Sequence, residues 1–326
     1  MRPTLVLGSN SFSGQDLVDL LLDAGDEVVG ISRSPEPPSW KLRYRNRSAF
    51  RFHALDLNRD IEEILSLLDS IQPRRIVNFA AQGEVAPSWE HPEHWFQTNC
   101  VALAHLVNHL ARVDWLERYL HVSSPEIYGT CEGQVYEDAP MRPSTPYAAS
   151  KAAADMLLTT YARQFGFPLL IVRSTNVYGA RQQLFKIIPR AIIYLKRNQP
   201  IELHGGGMAV KSYIHIRDVS RGELAILDRG RIGEIYHLSP NGSIAIRDLV
   251  HRICDRTGRS FEDSTRDVAE RPGQDAAYVI DSTKAKNELD WQPKIALDEG
   301  LEEVVEWVEA NWPEINALPI DYVHKE

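Results

Sequence analysis

Short apolar runs alternate with amphipathic stretches through the first half of the chain. The apolar runs have the length and composition of buried strands, and they cover residues 4–7, 27–31, 50–55, 75–79 and 118–122. Between them, apolar residues recur at helical spacing, as in residues 61–71 and 96–111. This alternation predicts an α/β fold with a doubly wound parallel sheet, in which ligands bind at the carboxyl ends of the strands.

The first predicted strand ends in a glycine-containing turn, Gly8-Ser9-Asn10-Ser11-Phe12-Ser13-Gly14, and a helix and a second strand follow. Gly8 permits a tight turn, Gly14 permits close packing of the helix, and the free amides at a helix N-terminus suit a pyrophosphate. Ser11 stands where a third glycine is usual, so we expect a slightly hindered approach to the phosphates. The turn predicts a dinucleotide site, although an ordinary glycine-rich turn has the same composition.

The end of the second predicted strand bears on the choice of dinucleotide. An acidic residue that bonds the ribose hydroxyls is usual there in NAD-selective sites, but this chain has Ser32-Arg33-Ser34. A guanidinium with two hydroxyls suits a 2′-phosphate, so we predict NADP in preference to NAD. The alternative is that Arg33 is a solvated loop charge.

A candidate catalytic group follows the fifth strand. Tyr147 and Lys151 are four residues apart, so on a helix they share one face. A lysine ammonium beside a phenol favours the phenolate and lowers its pKa. A hydroxyl from Ser123 or Ser124 at the strand end would complete a hydride-transfer site. Alone, a tyrosine and a lysine at this spacing also occur by chance in many helices.

Composition and charge exclude several classes of function. The chain has 326 residues, of which 43% are hydrophobic and 25% charged, which is ordinary for a globular protein. A net charge of −9 argues against a nucleic-acid or anionic-membrane binder. Three scattered cysteines predict buried thiols and no metal site. With no leader-like or membrane-spanning run, we expect a cytoplasmic protein.

Taken together, the motifs resemble the extended short-chain dehydrogenase/reductases, in the nucleotide-sugar epimerase/dehydratase family. The resemblance implies a Rossmann domain at residues 1–172, a smaller C-terminal α/β substrate domain at 173–326 with some chain crossover, and a tightly held NAD or NADP. That cofactor takes a hydride from C4 of a sugar and later returns it. The implied cofactor-binding residues are Gly8, Ser11, Phe12, Gly14, Ser32, Arg33, Asp56, Leu57, Ala80, Ala81, Asn99, Tyr147 and Lys151.

The resemblance also implies partners for the chain. A nucleoside diphosphate sugar would be held by Gln82, Asn176, Lys186, Lys211 and Arg271. Lys211 stands where an arginine is usual, which keeps the charge but loses bidentate phosphate recognition. Relatives form homodimers through a four-helix bundle of the helices that begin near Phe96 and carry Lys151. Apolar positions there either meet a partner or face the monomer core, namely Leu103, Leu106, Val107, Leu110, Met156 and Leu157.

The residues after Ser124 favour one reaction. Glu126 stands where 4-epimerases have a small or hydroxyl residue, and a carboxylate there resembles the dTDP-glucose-type 4,6-dehydratases, in which it removes the C5 proton of the sugar. The segment 271–275 supports the same resemblance. Pro125 replaces the aspartic acid that protonates the departing hydroxyl, so Glu126 would serve both steps. A 4-epimerase, a uronic-acid decarboxylase, a 5,6-dehydratase and a non-catalytic dinucleotide-binding module remain as alternatives.

Overall fold

The computed structural model describes residues 2–44, 47–131, 133–269 and 279–325. The strands are β1 (Thr4–Leu7), β2 (Val28–Ser32), β3 (Phe50–Ala54), β4 (Arg75–Asn78), β5 (Arg118–Val122), β6 (Gln134–Val135), β7 (Leu169–Ser174), β8 (Asn176–Tyr178), β9 (Ile201–His204), β10 (Val210–Lys211), β11 (Tyr213–His215), β12 (Ile235–Leu238), β13 (Ile244–Ala245), β14 (Thr265–Val268) and β15 (Val279–Ile280). The helices are α1 (Phe12–Asp23), α2 (Ile61–Ile71), α3 (Pro92–Phe96), α4 (Leu103–Leu110), α5 (Pro146–Phe165), α6 (Ile187–Lys196), α7 (Ile216–Arg229), α8 (Ile246–Arg256), α9 (Phe261–Ser264), α10 (Thr283–Leu289), α11 (Leu297–Ala310) and α12 (Trp312–Asn316). Short 3₁₀ turns lie at Ala86–Trp89, Pro125–Tyr128 and Gly205–Gly207.

Within these ranges, seven parallel strands form the central sheet in the order β12-β7-β5-β4-β1-β2-β3. The residues of β1 and β4 are all buried, as expected for strands covered by helices on both faces. The strand order reverses at β1, which pairs with β2 on one side and β4 on the other. A crevice opens at such a switch point, beyond the carboxyl ends of the strands. The predicted doubly wound fold is confirmed.

One helix differs from the sequence-based expectation. The predicted helix 96–111 begins earlier, at Pro92, where proline fits the first turn because that position needs no N–H bond. Its middle, Gln97–Ala102, is a π-helical segment between α3 and α4. Such segments are rare and often lie at functional sites.

The C-terminal half of the chain divides between separate hydrophobic cores. One of them is formed mainly by α6, α8 and α11. Residues of β11, α7 and β12 return instead to the core of the large sheet, where α7 packs on α1. The domain boundary expected after residue 172 falls inside β7, which continues to Ser174.

Of the six apolar residues considered for a dimer interface, four are buried, Leu157 is half-buried and Met156 is exposed. Those of α4 face the monomer core and are at most 3% exposed, namely Leu103, Leu106, Val107 and Leu110. Other apolar side chains on the same helical layer are open to solvent, with Phe96 38%, Val101 44% and Met156 55% exposed. A partner contact through this layer would therefore use the exposed side chains of Phe96, Val101 and Met156.

Two smaller expectations concern the thiols and the membrane. Cys100, Cys131 and Cys254 form no disulfide, but only Cys254 is buried and the other two are half-buried. Among the helices that the structure describes, none has the length and apolar character needed to cross a bilayer.

Candidate active site

Three cavities lie along the carboxyl ends of the strands and share lining residues. The strand-end cavity, of about 450 Å³, is lined by predicted cofactor residues that include Gly8, Ser11, Ser32, Arg33, Asp56 and Ala81. The central cavity, of about 370 Å³, shares Ser11 and Ala81 with it and adds Phe12, Tyr147 and Lys151. The outer cavity, of about 230 Å³, shares Asn176 and Tyr213 with the central one and reaches Lys211. Because neighbouring cavities share lining residues, the three form one continuous cleft.

The glycine turn has the geometry of a cofactor cradle. Gly8 has φ +79°, and a Cβ there would lie 2.8 Å from the backbone nitrogen of Ala80, so a side chain would collide with the end of β4. The Ser11 Oγ accepts from the Gly14 amide at 3.0 Å and caps α1, which therefore begins at Phe12. Ser11 thus serves as the helix cap where a third glycine was expected. The first turn of α1 lines the central cavity through Phe12 and Ser13.

The end of β2 is bonded to the glycine turn. The Ser32 Oγ accepts from the Asn10 amide at 2.9 Å, and the Asn10 side chain donates to the Ser34 carbonyl at 2.8 Å. Arg33 is exposed at the cavity, where its guanidinium donates to the Gln82 Oε1 at 3.5 Å and to the Lys325 carbonyl at 3.3 Å. Asn10 was missed in the sequence, since nothing there distinguishes it from other turn residues.

Asp56 and Leu57 also lie on the wall of the strand-end cavity, as do Ala80, Ala81 and Gln82. The Asp56 carboxylate accepts from the Asn58 amide at 2.8 Å, which fixes the turn after β3. This turn and the small side chains after β4 leave the strand ends open to a flat ligand.

Asn99 links two parts of the protein beside the cavity. It is buried, its Oδ1 accepts from the Gln82 amide at 2.8 Å, and its Nδ2 donates to the Gln82 carbonyl at 3.1 Å and to the Ser150 Oγ at 2.9 Å. These three bonds occupy the side-chain amide. Asn99 therefore fixes Gln82, which lines the cavity, against α5.

Three of the four predicted catalytic residues meet at the end of β5. Ser124 caps the 3₁₀ turn Pro125–Tyr128, and its Oγ accepts from the Glu126 amide at 3.2 Å. The same hydroxyl hydrogen-bonds to the Tyr147 phenol, and Glu126 is close enough for its charge to raise the pKa of Tyr147. A hydroxyl, a phenol and a carboxylate thus share one site.

Lys151 does not act on Tyr147 as expected. Burial raises the pKa of Tyr147, Glu126 raises it further, and the Ser124 hydrogen bond opposes both. The Lys151 Nζ instead donates to the Val122 carbonyl at 2.8 Å and lies 3.4 Å from the His121 Nε2. Burial lowers the pKa of Lys151 to about 8. The pKa of Tyr147 is therefore raised in this structure, whereas the lysine was expected to lower it.

A buried polar network below the site distinguishes the two candidate serines. The Asp155 carboxylate accepts from the Ser123 Oγ at 2.7 Å and from Arg173 at 2.9 Å. Arg173 also donates to the Tyr128 hydroxyl. Because the Ser123 hydroxyl donates to Asp155, Ser124 is the serine left to act with Tyr147.

The predicted substrate residues extend along the cleft. Asn176 and Lys186 line the central cavity and Lys211 the outer one, whereas Arg271 lies outside the described residues. The Lys186 Nζ is 2.6 Å from a carboxylate oxygen of Glu84, a residue with φ +69° whose charge also raises the pKa of Tyr147. Neither Glu84 nor Arg190, a second cation in the outer cavity, was predicted.

Arg190 could have been found, because residues four apart on a helix share a face and Lys186 was already a candidate. Glu84 had no such signal. Its position depends on a turn in the left-handed region, which nothing in the local sequence indicates.

Comparison of the chain with known proteins identifies its family. The family model described as GDP-mannose 4,6 dehydratase matches residues 5–304. The chain belongs to this family. A dTDP-glucose 4,6-dehydratase of Haemophilus influenzae is 30% identical over 94% of the chain and 98% of its own length. Another member, from Streptomyces niveus, is 34% identical over 72% of the chain and 70% of its own length.

Solved structures agree with this assignment. A dTDP-glucose 4,6-dehydratase of Streptomyces venezuelae with NAD bound is 30% identical, with a TM-score of 0.87, over 96% of this chain and 98% of that one. A UDP-glucuronic acid 4-epimerase of Bacillus cereus, also with NAD, is 25% identical, with a TM-score of 0.86, over 94% and 99%. The family expected from the motifs is confirmed, and a nicotinamide dinucleotide is its cofactor.

Proposed function

We infer that the protein is a nucleotide-diphosphate-hexose 4,6-dehydratase. It oxidises C4 of the sugar, eliminates water across C5 and C6, and returns the hydride to give a 4-keto-6-deoxy sugar nucleotide. The observation that carries this reading is Glu126 beside Tyr147 and Ser124. In a 4,6-dehydratase, a carboxylate at this place can remove the C5 proton. A 4-epimerase needs no such base, because it transfers only a hydride and the hydroxyl proton.

The chain's own residues fit a nicotinamide dinucleotide. Gly8, where a Cβ would strike Ala80, and the first turn of α1 would hold the pyrophosphate, and Lys151 would hold the nicotinamide ribose. When bound in its oxidised form, the cofactor supplies the hydride acceptor and a positive charge that favours the Tyr147 phenolate. Ser124 orients that phenol through its hydrogen bond.

Glu126 would carry the elimination. A ketone at C4 makes the C5 proton acidic, and Glu126 removes it as a general base. Pro125 has no group that can transfer a proton, so the proton now on Glu126 is the one delivered to the departing C6 hydroxyl. In the elimination, one proton and one hydroxide leave as water. When the hydride returns to C6, C5 takes a proton from solvent, which balances the proton that Tyr147 took from the C4 hydroxyl.

The substrate would lie in the central and outer cavities. Asn176 and Lys186 border the sugar end, and Lys211 with Arg190 would meet the diphosphate or nucleoside. The cytoplasm is the location we propose, since its reducing conditions keep cysteines such as Cys100, Cys131 and Cys254 from forming disulfides.

A panel of hexoses and hexuronic acids linked to UDP, GDP, CDP and dTDP tests the assignment. A dehydratase yields a 4-keto product that is lighter by one water, detected by mass spectrometry. A product of unchanged mass inverted at C4 would indicate an epimerase, loss of carbon dioxide a decarboxylase, and an unsaturated product that keeps C4 reduced a 5,6-dehydratase. Tight dinucleotide binding without turnover of any sugar would indicate a binding module.

Arg33 should select the cofactor. We propose that its guanidinium binds the 2′-phosphate of NADP, because it is exposed at the strand-end cavity beside Ser32 and Ser34. A charge-assisted hydrogen bond contributes about 1.5–3 kcal/mol, so Arg33→Ala should weaken NADP about 10–100-fold and NAD little. Calorimetry with both cofactors measures this, with Arg51→Ala of β3 as the control for loss of an exposed arginine. Equal losses for both cofactors would contradict the role of Arg33.

A homodimer is the proposed assembly. The exposed apolar layer of Phe96, Val101 and Met156 would pack against its copy in a four-helix bundle. Light scattering should give twice the chain mass at micromolar concentration. Val101→Glu with Met156→Glu should give a monomer, while Ile232→Glu, at another exposed apolar residue, should not. A wild-type monomer would reject the assembly.

A further inference from the structure

A group of metal-ligating side chains lies at the start of α3, away from the three cavities. His91, Glu93 and His94 each place one ligand atom within 4.8 Å of the others. The Glu93 Oε1 lies 3.9 Å from the His91 Nδ1 and 3.8 Å from the His94 Nε2. None of these side chains takes part in the proposed reaction.

A second observation comes from the C-terminal segment 321–325. The His324 Nε2 is 2.8 Å from the His94 Nδ1, and the His324 ring stacks on Trp95 with ring centres 5.2 Å apart. Trp95 is fully buried, so its indole is a rigid surface for the His324 ring. The next residue, Lys325, accepts hydrogen bonds through its carbonyl from Arg33 and Gln82 at the strand-end cavity. The segment is thus attached at His324 and at Lys325.

We propose that His91, Glu93 and His94 bind one divalent transition-metal ion of the zinc class, with His324 as the residue that orients the His94 ligand. Two imidazoles and a carboxylate suit zinc and its neighbours, whereas calcium and magnesium prefer oxygen ligands alone. Metal–ligand bonds of about 2.0–2.2 Å place ligand atoms at most about 4 Å apart, close to the separations seen here. Because His91 and Glu93 are exposed, their side chains can rotate into place.

The two ring nitrogens of His94 have different roles. The Nε2 faces Glu93 and is the metal ligand, so the Nδ1 keeps its proton and donates it to the His324 Nε2. A hydrogen bond to the second nitrogen fixes the tautomer and the ring orientation of a histidine ligand. Conversely, a bound cation makes the Nδ1–H a stronger donor. Ion affinity and ordering of segment 321–325 therefore reinforce each other by the same factor.

Zinc chloride alone is the probe, and the full chain is produced without a polyhistidine tag. Competition with a chromogenic chelator should show one tightly held zinc ion per chain. His91→Ala with His94→Ala should abolish that binding. His324→Ala should weaken it about 10–100-fold, the usual cost of losing a partner of a histidine ligand. The control, His109→Ala with His251→Ala, removes two imidazoles that each lie beside a carboxylate but not beside one another, and should retain the zinc.

Hydrogen exchange supplies a readout that affinity alone does not. Zinc should slow exchange of the amides of residues 322–325 in the wild type and leave it unchanged in the His91→Ala/His94→Ala variant. Equal zinc affinity in that variant and the wild type, or an equal loss in the control, would overturn the site. An unchanged affinity in His324→Ala would overturn the orienting role. These results do not depend on turnover of any sugar nucleotide.

Discussion

Tyr147→Phe should lower the rate of sugar oxidation at C4 about 10²–10⁴-fold, because the variant loses the group that accepts the C4 hydroxyl proton. Single-turnover mixing of substrate with the oxidised holoenzyme measures this step through the absorbance of the reduced nicotinamide. Ser124 and Glu126 interact with the hydroxyl group of Tyr147. Removing that hydroxyl group should therefore leave the turn Pro125–Tyr128 intact. Cofactor binding and the melting temperature should stay close to those of the wild type.

Tyr161→Phe is the matched control for this experiment. Tyr161 lies on the same helix, α5, and its hydroxyl donates to the exposed Asn108 side chain rather than to the site. Its variant should oxidise substrate at the wild-type rate. Near-normal turnover of Tyr147→Phe would remove the central claim about the hydride-transfer site.

Glu126→Gln should produce a different loss, after oxidation rather than before it. Product formation should fall about 10²–10⁴-fold, since the amide can neither remove the C5 proton nor protonate the leaving hydroxyl. Substrate should still reduce the bound cofactor, which then stays reduced because the cycle stops at the 4-ketone. Absorbance of the reduced nicotinamide and mass spectrometry of the product together separate the two steps.

Two further measurements distinguish Glu126 from its neighbours. Wild-type turnover in heavy water should place deuterium at C5 of the product, and Pro125→Asp should keep or modestly raise the activity. Glu84 and Asp155 are the other carboxylates whose charges raise the pKa of Tyr147, and Asp155 already accepts hydrogen bonds from Ser123 and Arg173. If Glu84→Gln stopped the cycle at the reduced cofactor and Glu126→Gln did not, the acid–base role would belong to Glu84. A C4-inverted product free of solvent label would mean an epimerase.

The sheet and the position of the site could be predicted because both depend on local patterns. Buried parallel strands read as apolar runs, and β1, β5 and α2 have the bounds that the sequence indicated. The carboxyl ends of those strands then define the cleft, whatever the details of the loops. Gly8, Arg33, Asp56 and Ala81 accordingly line one cavity.

Features that depend on side-chain direction or on distant contacts could not be predicted. The four-residue spacing of Tyr147 and Lys151 fixes a shared helix face, but not the Val122 carbonyl to which the lysine nitrogen turns. Burial and the Glu126 charge raise the pKa of Tyr147, which is opposite to the expected direction. The contact between His94 and His324 joins residues 230 positions apart, which no local pattern records.

The π-helical segment Gln97–Ala102 bears on how the chain is compared with relatives. A π turn holds more residues than an α turn, so it corresponds to an inserted residue within a helix. A one-residue deletion here would restore α-helical winding and turn Asn99 by about 100° away from Gln82 and Ser150. An alignment with a relative whose helix is regular therefore needs a gap inside this helix. Moving that gap into the preceding loop would match Asn99 to a residue that faces another direction.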